Sequence, residues 1–109
     1  MINAKQEFLS EIEGKASVIA VVLRRMVDYG VYNTFILPEG YTSAQFESFL
    51  DSIDFAYDAG YGAPVLDGFI WYADSTWSER GEYDGAEWWD YKQRPDIAVY
   101  MGQVAGSEE

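Results

Sequence analysis

The chain has 109 residues, with 19 carboxylates against 7 Lys and Arg, a formal charge of −12, and neither cysteine nor histidine. That length makes one domain, and the composition excludes disulfides, thiolate chemistry, nitrogen- or sulfur-ligated metal sites and the usual general bases. With 49% apolar and 17% aromatic residues it is too rich in core formers for a disordered acidic chain, so one hydrophobic core is expected despite self-repulsion.

In chain order, Asn3 is a good N-cap for a short helix, with Gln6 at the capping-box position, Phe8, Leu9 and Ile12 on one apolar face, and Gly14 as its end. Ala16 to Val27 is rich in Val and Ile and reads as a strand buried on both faces over its first half and emerging at Arg24 and Arg25. A helix running through to Met26 is the alternative. Its apolar run, Ala16 to Leu23 broken only by Ser17, is far short of the ~20 apolar residues that span a bilayer. It also follows Glu7, Glu11 and Glu13, the wrong flank for a signal peptide, so a soluble cytoplasmic protein is expected, with no affinity for anionic membranes.

Asp28-Tyr29-Gly30 signals a turn, and Val31 to Leu37 a second strand that closes a hairpin. Thr42 caps the clearest helix, with Gln45 completing the box and Phe46, Phe49, Leu50 and Ile53 at helical spacing. Glu47, Asp51, Asp54 and Asp58 fall on its other sides, the last two opposing the macrodipole near the C-terminal end. After a Gly-rich loop ending at Pro64, a three-strand meander is expected: Leu66 to Ala73, Thr76 to Tyr83 and Ala86 to Tyr91. Asp84-Gly85 serves as a type I′ turn. Ile97, Val99 and Tyr100 add an edge segment, and residues 102–109 form a frayed acidic tail after a single domain spanning 1–101. The expected fold is α+β, order α-β-β-α-β-β-β, with two helices packed on one face of an antiparallel sheet.

Between Glu39 and Asp90 lie twelve carboxylates and a single basic residue, Arg80, together with all four tryptophans. A segment of net charge −11 argues for a basic partner and against direct contact with nucleic acid, whose phosphates require Lys and Arg. Strand alternation places Trp77, Glu79, Gly81 and Tyr83 on one face, and Ser78, Arg80 and Glu82 on the other. Trp88 and Trp89 then point to opposite faces, one toward the core and one toward solvent. Cross-strand aromatic packing accounts for this pattern. So does an exposed aromatic set ringed by carboxylates that anchors a partner's Arg or Lys. Arg80 pairs with Glu82 or a cross-strand carboxylate, and Arg24-Arg25 can pair with the acidic half.

Weaker readings are a glycosidase using two of Glu79, Glu82, Glu87 and Asp90, a calcium site near Asp54 and Asp58 without the required loop pattern, and a sugar-binding module. No catalytic residue, metal or cofactor is assigned.

Several strings resemble small phage and mobile-element proteins: Gly40-Tyr41, Phe49-Leu50-Asp51, Asp54 to Gly62, Gly68-Phe69-Ile70-Trp71, and above all Trp77 to Trp89, with its W-x-x-R-G-E-Y-D-G-x-E-W-W pattern. The resemblance covers about half the chain and implies a setting rather than an activity. In that setting small acidic proteins often oppose host defence, as antirestriction DNA mimics and many anti-CRISPR proteins do. The implied function is inhibition of a host nucleic-acid-binding defence protein by occupying its basic channel. The contact residues would be Glu47, Asp51, Asp54, Asp58, Glu79, Glu82, Asp84, Glu87, Trp88 and Asp90. The alternatives are an interaction module without mimicry and a sugar-binding domain.

Overall fold

Each helix starts where a side chain takes over an orphaned backbone amide. The computed structural model describes residues 1–59, 64–95, 98–99 and 101–102. Strand β1 (Ile2–Asn3) leads into α1 (Ala4–Ile12), where the Asn3 side chain accepts a hydrogen bond from the Gln6 amide at 3.0 Å. Strands β2 (Val18–Asp28) and β3 (Val31–Leu37) form the expected hairpin. Helix α2 (Ser43–Ser52) opens on a complete capping box: Thr42 Oγ1 accepts from the Gln45 amide at 3.1 Å, and the Gln45 side chain accepts from the Thr42 amide at 2.7 Å. Strand β4 (Ala56–Tyr57) pairs with β1 as a small separate ladder. Strands β5 (Leu66–Tyr72), β6 (Trp77–Tyr83) and β7 (Ala86–Lys92) complete the meander.

The fold is α+β, and its main elements run α-β-β-α-β-β-β; the two-residue strands β1 and β4 are the additions. The five-stranded antiparallel sheet has the order β3-β2-β5-β6-β7. Both helices lie on one face, where Phe8 meets Phe49 edge-on at 5.5 Å above Val21, Leu23, Leu37, Leu66 and Ile70. Phe49, Leu50 and Ile53 are buried and Phe46 packs beside them, so the helical stripe read from spacing is the stripe the core uses.

The other face of the sheet is uncovered, which corrects the expectation that β2 is buried on both sides. Val21 and Leu23 point into the core, while Ile19 and Arg24 are exposed and Val22 is only partly covered by its neighbours. Helix α2 is also shorter than expected: it ends at Ser52 with Ile53 as its C-cap, so Asp54 still lies at its negative end, whereas Asp58 lies further on, past β4. Val99 is helical rather than part of an edge strand; Ile97, Tyr100 and the tail from Gln103 lie outside the described residues.

Two glycines carry the meander. In the β6–β7 turn both Asp84 (φ 52°) and Gly85 (φ 86°) are left-handed, as a type I′ turn requires. A β-branched side chain is strained there, so Gly85→Val should lower stability by about 1–3 kcal/mol in a urea melt. Tolerance of Val would place the turn elsewhere. Gly68 in β5 (φ 150°) comes so close to β2 that a Cβ would sit 2.1 Å from the Val22 carbonyl oxygen. There the sheet forks. β5 pairs with β6 only from Phe69↔Glu79 to Trp71↔Trp77, then stays with β2 while β6 continues with β7.

Candidate functional site

The fork explains the position of Arg80, whose side chain is only 2% exposed. Strand parity sends Ser78 and Arg80 to the core face, beneath α1, where Glu7 and Glu11 sit one turn apart. Arg80 Nη1 reaches Glu7 Oε2 at 3.2 Å. Its Nη2 reaches the Tyr57 hydroxyl at 3.0 Å and Glu87 Oε1 at 3.3 Å. The guanidinium also lies 5.1 Å from the Trp89 ring centre, a cation–π arrangement, while its Nε has no hydrogen-bond partner among the described residues. The Glu87 carboxylate also accepts from the Val65 and Leu66 amides at 2.7 and 3.1 Å. At the fork it serves the amides at the start of β5 and just before it, in the region where β6 no longer pairs with that strand.

Next to this cluster, Glu11 accepts from Ser78 Oγ at 2.6 Å, and Ser78 Oγ lies 2.8 Å from the Tyr72 hydroxyl. Tyr57 donates to Glu7. Burial first, and then the hydrogen bond to Glu7, push the Tyr57 pKa well above that of free tyrosine. Burial likewise raises Tyr72 to about 12. An unfolded tyrosine ionises near pH ~10, so over this interval the unfolded chain loses protons that the folded one keeps. Stability is therefore full below pH ~10 and falls as pH rises toward 12. Urea midpoints measured on either side of pH ~10 should show this loss, and Tyr72→Phe should reduce it; an equal slope in the variant would clear Tyr72 of the effect.

The residues expected to contact a partner separate into different environments. Glu47 and Asp51 are exposed on α2, one turn apart, and make no ion pair among the described residues. Asp54 accepts from Asn3 Nδ2 at 3.0 Å and so ties the end of α2 to the start of α1; Asp58 is exposed, with no such bond among the described residues. Glu82 accepts from the Gly85 amide at 3.0 Å inside the turn, and Asp84 is exposed at its tip. Glu79 holds Lys92 at 2.8 Å, with Asp90 at 3.9 Å, and the bond to Glu79 raises the Lys92 pKa. Glu87 is not a surface carboxylate at all: it is buried against Arg80, which removes it from any contact set. Trp88 is 40% exposed and lies across Gly81, while Trp89 joins the core.

Helix α2 packs on β3 and α1 on β7, at opposite edges of the sheet. At roughly 4.8 Å per strand, those edges are about 19 Å apart. The carboxylates of α2 and of the β6–β7 turn are therefore two separate acidic patches. Between them runs the open sheet face, with Phe69 stacked on Trp71 at 5.6 Å. Its charges are paired internally: Arg24 grips Asp67 through two bonds of 2.6 and 2.8 Å, and Lys92 is held by Glu79. An open cleft of about 370 Å³ lies at the fork, lined by Val22, Arg24, Asp67, Gly68, Phe69 and Glu79 with Arg80. No helix among the described residues is long and apolar enough to cross a membrane. Comparison with protein-family models, curated proteins and solved structures finds no match.

Proposed function

We propose that this chain is a small, non-catalytic acidic binding protein of phage type. It would inhibit a host nucleic-acid-binding defence protein by occupying its basic channel as a DNA mimic. The observation that carries the reading is the division of the carboxylates. Asp67, Glu79, Glu87 and Asp90 on the sheet are paired with Arg24, Arg80 or Lys92, whereas Glu39, Glu47, Asp51, Asp58, Glu82 and Asp84 are exposed with no cation from the described residues. Charge left unpaired in this way costs stability through self-repulsion and is complementary to a cationic surface. Capture from a host lysate at low ionic strength should retain a nucleic-acid-binding protein of high pI that elutes as salt rises. Retention that survives high salt, or a captured partner of low pI, would overturn the reading.

The open sheet face favours a second reading, a protein-interaction module without mimicry. Phe69, Trp71 and Trp88 are exposed there at 41%, 38% and 40%, and the neighbouring charges are already paired. Such a surface fits an apolar hot spot with modest salt dependence.

A further inference from the structure

The two edges of the sheet are protected unequally. A helix packs on each edge strand, α1 on β7 and α2 on β3, but β7 also carries the surface charges Asp90 and Lys92. β3 carries no charge, and the uncharged run extends from Tyr29 to Pro38 in a chain of net charge −12. Among the described residues β3 pairs only with β2, so one row of its backbone donors and acceptors has no strand beside it. Its register is regular from Tyr32 to Leu37; the bulge at Val27 lies toward the hairpin tip. Val31, Tyr32 and Ile36 are exposed. Natural edge strands carry charges, prolines or bulges to prevent pairing, and β3 has none of these along its regular stretch.

We propose that β3 is the interface of a two-fold dimer, in which it pairs antiparallel with β3 of a second copy about Thr34. The sequence is matched to itself under that operation. Thr34 meets its own copy on the axis, Asn33 faces Phe35, Val31 faces Leu37, and Tyr32 faces Ile36. The last pair is aromatic against β-branched, a favourable cross-strand combination on the open face of both sheets. Charge selects the occupant. A basic segment is drawn to the carboxylates elsewhere, whereas a second copy of an acidic chain must dock where charge is absent. Glu39 and the α2 carboxylates Glu47 and Asp51 still repel across the two copies, so dimerisation strengthens as salt screens them. This is the opposite salt sign to the proposed capture of a basic partner and does not depend on it.

Sedimentation velocity at low and high ionic strength tests the interface. Wild type should shift from monomer toward dimer as salt rises. Thr34→Lys should remain monomeric with an unchanged melt, because Thr34 is exposed and two lysines would meet on the axis. The chain has no cysteine, so Thr34→Cys reports the register directly. On the axis, Cβ atoms lie about 4.5–5.5 Å apart, and oxidation should cross-link most chains, whereas Ile36→Cys, facing Tyr32 of the second copy, should not cross-link. A wild type monomeric at high salt, a dimer that Thr34→Lys leaves intact, or equal cross-linking of the two cysteine variants would each overturn the proposal.

Discussion

Arg80→Ala should destabilise the fold by about 3–5 kcal/mol, the cost of breaking a buried ion pair from one side. Two carboxylates, Glu7 and Glu87, would lose their shared cation, and the Glu87 side chain is itself 2% exposed. Arg80→Lys should recover little, because one ammonium cannot reach Glu7, the Tyr57 hydroxyl and Glu87 together as the guanidinium fork does. Pairing Arg80→Met with Glu87→Gln should cost less than the two single changes added together. With both charges removed, the oxygen of the introduced side-chain amide can still accept from the Val65 or Leu66 amide, which Glu87 now serves. Urea melts of the two single variants and the double variant measure this directly. An Arg80→Ala variant that melts within about 1 kcal/mol of wild type would mean that water enters the fork and the cluster is not part of the core.

That cluster has no short-range signature in the sequence. The strands of the meander, the caps at Asn3 and Thr42, the stripe from Phe46 to Ile53 and the turn at Asp84-Gly85 were legible because each has a short-range cause: alternation, capping chemistry, helical period, positive φ. Parity correctly separated Ser78 and Arg80 from Trp77 and Glu79, and Trp88 from Trp89. The expected pairing of Arg80 with a cross-strand carboxylate holds, with Glu87 on β7, but parity cannot say which of two faces is covered, so the burial of that pair is not legible. Only the fork at Gly68, which ends β5–β6 pairing, makes room for a guanidinium and a carboxylate inside the sheet. Glu7 and Glu11 are equally opaque, since residues flanking an apolar stripe are normally solvated. The apolar run from Ala16 looked buried on both faces because composition does not reveal that one side of this sheet has no covering layer. Of the residues expected to form a contact surface, Glu47 and Asp51 are exposed on α2 and Asp84 at a distant turn, while Glu87 is internal.

Charge reversal on α2 should weaken partner binding tenfold or more while leaving the fold intact. Glu47→Lys with Asp51→Lys changes the charge of one exposed helical turn by four units without touching a hydrogen bond or ion pair of the described residues. If the protein occupies a basic channel, this variant should lose affinity and also show a flatter dependence on salt, since fewer charge pairs form and steering is lost. The second patch needs a gentler change. Glu82→Gln with Asp84→Asn keeps an acceptor for the Gly85 amide and a residue that tolerates the left-handed turn, while removing two negative charges. Because the patches lie about 19 Å apart across the strands, a partner that spans both should respond to each. A partner seated on one should respond to that one alone. Titration at two ionic strengths, after confirming an unchanged melt, distinguishes these outcomes. If both variants bind like wild type and Trp88→Ala abolishes binding, the open sheet face is the interface and the unpaired carboxylates serve solubility alone.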